Sequence, residues 1–182
     1  MILLGGVSFL VPLYASDLLS YGATETGLVV MTHAAFLFLT MRLGGILADR
    51  WSNRKPVAIG LFLQSCCFAA LALQSGSGRV LFVLLPLMVS GAAAGLSLAA
   101  LHHTAMHELL PADSGAGAGL YSMIRFTGSL LGAAVPGIVL ETGLATLPTT
   151  ASAYQVAFLA VAAAGMVGTI TATFIREISW KR

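Results

Sequence analysis

Six apolar runs, each close to twenty residues long, leave this chain few folds to choose from. They cover residues 2–19, 26–47, 56–73, 80–101, 117–140 and 154–175. A helix needs about 20 apolar residues to cross the hydrocarbon core of a bilayer. The expected fold class is therefore an all-α membrane protein, a single bundle of six transmembrane helices. Charge supports this: 9% of residues are charged, against roughly 25% in a soluble globular domain. A soluble fold of this size needs that charge for its surface, so the expected solvent is the lipid bilayer. The many glycines and alanines suit helices that must approach closely without a hydrophobic drive between them.

The first run is short, broken by Pro12, and starts without a basic flank. It reads as a truncated first helix rather than a signal peptide. The net charge of +2 is too small to indicate nucleic acid. Cys66 and Cys67 are adjacent inside an apolar run. Neighbours in one helix do not readily bridge each other, so they read as small apolar fillers.

Positive charge falls on alternate connections. Arg42, Arg50, Arg54, Lys55, Arg176, Lys181 and Arg182 lie on one side of a six-span topology, and Arg79 on the other. The positive-inside rule then places both termini in the cytoplasm, in a multi-pass cell-membrane protein, with Trp180 as an interfacial anchor.

Two ionisable residues fall inside spans. Arg125 lies near the middle of the fifth run, where an arginine is costly unless it faces a polar cavity or a partner. It reads as a cavity or coupling residue, or as a snorkelling or paired arginine close to the cytoplasmic end. His33, in the second run, titrates near physiological pH and is a candidate proton relay; a histidine hydrogen-bonded to a neighbour is the plainer alternative. His102, His103, His107 and Glu108 cluster after the fourth run. That cluster is too loose for a metal site and reads as solvated, so no metal is expected. Asp17, Glu25 and Glu141 read as solvated span ends, with Asp17 the one placed to face a cavity mouth.

Asp113 or Ser114 is placed to cap the fifth helix. Glycines follow it, including Gly119, Gly128, Gly132 and Gly137, with Pro136 beside the last. Gly128 and Gly132 form a GxxxG pair, as do Gly91 and Gly95 in the fourth run. Close packing is expected at these pairs. The proline and glycines also give the fifth helix places to bend.

Gly45-Ile-Leu-Ala-Asp49-Arg50, followed by Arg54-Lys55, resembles the signature G-x-L-a-D-R-x-G-R-K of the major facilitator superfamily. That signature lies between the second and third helices of a six-helix half. Here Ser52 and Asn53 replace its second glycine and displace the basic pair by one. The resemblance implies one half of a major facilitator fold and transport by alternating access. The region from Asp113 to Gly132 is similar to the eleventh-helix region of 14-helix drug:proton antiporters. The fourth span also lacks the arginine that is usual in first halves. Together these imply the C-terminal half of a proton-coupled efflux protein, moving small drug-like molecules. The proton gradient would be its energy source, with no cofactor. Its partner would be a missing N-terminal half or a second copy of the chain. The alternative is a truncated, non-transporting six-helix membrane protein or scaffold that needs a partner half. No nucleophile–base pair lies in the spans, so an enzyme is not expected.

Overall fold

The computed structural model describes residues 1–51, 54–74, 80–107 and 114–174. The side chains of residues 48–51, 80 and 107 lie outside that description. Six helices follow in order: α1 (Ile2–Leu19), α2 (Ala23–Trp51), α3 (Arg54–Leu73), α4 (Val80–His107), α5 (Ser114–Thr146) and α6 (Thr150–Ala172). All six are long and apolar enough to cross a membrane.

Most helices outrun the apolar segments that announce them. Lipid sets the length of an apolar run, but a helix continues wherever its residues tolerate helical backbone. α2 therefore carries Asp49 and Arg50 in its last turns, and Arg54 and Lys55 begin α3. The charged patch over 49–55 is mostly two helix ends rather than a loop, with only 52–53 outside the described residues. α6 starts at Thr150, earlier than its apolar run. Thr149 caps it, its Oγ1 accepting from the Ser152 N–H at 3.2 Å.

Neighbouring helices run in opposite directions, so the bundle has two ends. One holds Arg42, Arg54 and Lys55; the other holds Asp17, Glu25 and Glu141. α2 packs on α4, α4 on α3, α3 on α6, and α6 and α5 on α1. α2 and α5 are the least enclosed helices and present broad apolar faces, for example Phe38, Leu39, Leu130 and Ile138. The main core lies between α1, α3 and α6, where Tyr14, Phe68, Tyr154 and Phe158 interlock. The Tyr14 ring meets those of Tyr154 and Phe158 edge-on, at 5.5 Å each. Such geometry suits the ring quadrupoles.

Asp17 is exposed at its span end, but it is also tied to the bundle. Its Oδ2 accepts a 2.6 Å hydrogen bond from the Tyr154 hydroxyl, tying α1 to α6. Tyr154 is wholly buried, so its hydroxyl needs an acceptor carried by another helix. Gln64 and Ser97 make a similar tie between α3 and α4: the Gln64 amide donates to Ser97 Oγ at 3.2 Å.

Two seams of glycine hold the outlying helices. On α4, a Cβ at Gly91 would strike the His33 carbonyl of α2, and one at Gly95 the Leu37 carbonyl and Thr40 Oγ1. A Cβ at Gly44 on α2 would lie 2.8 Å from Leu96 Cα. The second seam joins α1 and α5. There Gly5 abuts the Ser129 carbonyl, Gly132 the Ile2 carbonyl, and a Cβ at Gly128 would lie 2.9 Å from that of Met1. Gly137 sits on the Phe9 ring, with 3.1 Å available for a Cβ. Gly119 takes no part in this packing, since nothing lies within 4 Å of its Cβ position.

Candidate functional site

Arg125 lies eleven residues into α5, a helix of 33 residues, or about 50 Å at 1.5 Å per residue. If the helix is centred on the bilayer, Arg125 sits about 7 Å from the midplane, well inside a hydrocarbon core of about 30 Å. Its face is set by its neighbours. Gly128, Ser129 and Gly132, which follow it by three, four and seven residues, point at α1. The same stripe carries Arg125 inward rather than toward lipid. It is half-buried. Its Nε is enclosed and has no hydrogen-bond partner among the described residues. The guanidinium carbon lies 4.9 Å from the centroid of the Phe126 ring, within cation–π range.

One turn toward the basic end, Tyr121 shares this face. Its hydroxyl is also enclosed and unpartnered. The ring is fixed from the side by His102 of α4, with centroids 5.4 Å apart and planes at 64°. His102 opens in turn on a groove of about 490 Å3 between the ends of α2 and α4, where Met41, Arg42, Ala99, His103 and Met106 also lie. His102, Tyr121 and Arg125 therefore form one polar line running from the basic end into the bundle. Tyr121 was not singled out in the sequence; its four-residue spacing from Arg125 was the available signal.

His33 is elsewhere. It is 5% exposed, wedged between α2 and α4 at the level of Gly91. Neither ring nitrogen makes a well-formed hydrogen bond, and the backbone of Leu87 is its polar neighbour. Counting residues along α4 and α5 sets it about 10 Å deeper than Arg125 along the bundle axis. The two are not brought together.

Of the charged signature, Arg54 is half-buried and Lys55 exposed at the start of α3, while Gly45 faces open space. The side chains of Asp49 and Arg50 fall outside the described residues, as do Asp113, Glu108 and Trp180. Ser114, the other cap candidate, is the first residue of α5. Among the described residues no group of three or more histidine, cysteine or acidic side chains is placed to hold a metal.

A profile of the Major Facilitator Superfamily matches residues 1–133, from α1 into the Gly132 seam of α5. The chain belongs to the major facilitator superfamily. Two transporters carry related sequence. An uncharacterized MFS-type transporter of Bacillus subtilis, YvkA, is 22% identical over 171 residues, or 94% of this chain and 36% of the relative. An uncharacterized transporter of Escherichia coli, YebQ, is 27% identical over 157 residues, or 86% of this chain and 34% of the relative. The chain thus spans about a third of the length of each.

Proposed function

We propose that this bundle is the C-terminal half of a secondary active transporter that expels small drug-like molecules in exchange for protons. The observation that carries the reading is Arg125: a cation deep in a membrane helix, turned inward, with an enclosed and unpartnered Nε. An arginine at the centre of a spanning helix costs about 2.5–3.5 kcal/mol on insertion scales. A polar cavity that fills and empties gives that cost a purpose. Alternating access requires a second body to rock against, with the exposed faces of α2 and α5 as the surfaces that meet it. That body is an N-terminal half or a second copy of the chain. His33 is the candidate proton carrier, and the signature around Asp49 would steady one state at the cytoplasmic face. The protein is then a cell-membrane protein with both termini inside.

The test is proton flux in proteoliposomes driven by a lipophilic test compound, comparing wild type with Arg125→Ala. Flux should fall about tenfold or more, the loss expected when a hydrogen bond to a charged group goes. Thermal stability in detergent should hold or rise, because a costly charge leaves an apolar helix. Unchanged flux, or stability that falls along with flux, would make Arg125 structural.

A further inference from the structure

We infer that Arg125 and Tyr121 form the charged end of a substrate site, and that the substrate is an amphiphilic organic anion: a carboxylate attached to an apolar ring system. This rests on the transporter reading above and names the cargo of the same cavity.

Among the described residues the guanidinium meets the Phe126 ring, at 4.9 Å from its centroid. That contact engages the cation without using a hydrogen-bond donor. A planar fork of N–H donors matches a carboxylate through two parallel bonds, which an ammonium group does not reproduce. Tyr121, one turn away on the same face, adds a hydroxyl with no partner. His102 packs against its ring edge-on, so the hydroxyl is held in place before any ligand arrives. Two unpartnered donors on one helix face define a site for an acceptor.

Among the described side chains, the charge around them is positive. Arg42 and His102 line the adjoining groove together with Met41, Ala99 and Met106. Every carboxylate among the described side chains, Asp17, Glu25 and Glu141, belongs to the far end of the bundle. Of the described side chains, a ligand entering here meets positive or neutral ones, and an anion also meets Arg125. The methionines give the apolar body of the ligand a soft, adaptable wall. The groove, of about 490 Å3, is lined by His102 and not by Arg125 or Tyr121, so it would take the apolar body of the ligand, with the His102–Tyr121 contact as its link to the charged end.

Three probes with one ring separate charge from shape: 2-naphthoate, 2-naphthamide and 2-naphthylmethylammonium. Their binding is measured by equilibrium dialysis against the full chain in nanodiscs, and their flux in proteoliposomes. Naphthoate should bind about tenfold or more tighter than the ammonium. Arg125→Gln should remove that preference, while naphthamide affinity stays within about twofold. Tyr121→Phe should weaken naphthoate by about three- to tenfold. Arg125→Lys should recover part of the affinity, since it keeps the charge and loses the fork. The inference is overturned if the wild-type chain, helical and monodisperse, binds the three probes equally or not at all. It is overturned equally if Arg125→Gln weakens all three alike. Flux of the amide or ammonium without anion preference would keep the transporter reading and end this one. Anion binding that depends on Arg125, without flux of any probe, would do the reverse.

Discussion

Between α2 and α4, Gly91, Gly95 and Gly44 let two backbones touch; between α1 and α5, Gly5, Gly132 and Gly128 do the same. Both pairs run parallel, and each joins an outlying helix to one nearer the core. The two seams correspond when α1, α2 and α3 are matched in that order with α4, α5 and α6 in inverted orientation, the internal repeat expected within a half of this superfamily. They are closed differently. The first adds a polar tie: Thr40 Oγ1 lies 2.9 Å from the Ala92 carbonyl across the seam and 2.8 Å from the Phe36 carbonyl of its own helix. The second carries no such tie among the described residues. Its outer part is a glycine resting on the Phe9 ring, next to Pro136, which removes a backbone hydrogen bond from α5. The difference teaches that close approach alone does not fix a joint. One seam is pinned, while the other is smooth, and the smooth one belongs to the helix that carries Arg125; an internal proline does not distinguish them, since α4 carries Pro86 as α5 carries Pro136.

The largest effect should come from filling either seam. Gly91→Leu and Gly132→Leu each drive a side chain into a partner's backbone, where no rotamer change relieves the clash. Each should cost about 3 kcal/mol or more in reversible SDS unfolding. If one is tolerated, the two joints are not equivalent and the internal repeat is not structural. Thr40→Val keeps shape and deletes the tie. It should cost about 0.6 kcal/mol, the mean for hydrogen bonds between membrane helices, because the hydroxyl proton is shared with Phe36. A cost near zero would erase the distinction between the seams. Gly137→Ala should be the mildest change, within about 0.5 kcal/mol, since better helix propensity offsets the push on Phe9. Its signature is functional: flux should slow while the unfolding curve stays in place. A large loss of stability would show that the second seam is as tightly set as the first.

How much of this could be read from the sequence follows from the range of each interaction. Spanning helices are encoded locally, by the length of apolar runs, so the six-helix fold and the superfamily were legible. The GxxxG pairs showed which faces of α4 and α5 pack, but not that His33 and Ile2 lie beneath them, because spacing names one side of a contact. Gly44 and Gly5 belong to no such pair and gave no signal. Asp17 is exposed, as its place at a span end suggests, but its bond to Tyr154 gave no signal because Tyr154 is far away in the chain. Helix ends were misjudged for a related reason: hydropathy marks where lipid stops, and α2 continues through Asp49 and Arg50. Arg125 stood out as a charge in an apolar run. Tyr121 beside it did not, since its role depends on His102 from another helix.

The Asp17–Tyr154 hydrogen bond also bears on how the bundle comes together during synthesis. α1 leaves the ribosome before the other helices described here, yet its main partners are α5 and α6, the last two. α2, α3 and α4 can settle against one another as soon as α4 is made. α1 has to wait for Tyr154, which follows more than a hundred residues later. At a translation rate of about 5–20 residues per second, that interval is on the order of ten seconds. During it, the carboxylate of Asp17 faces water or headgroups, and the bundle closes around its earliest helix at the end.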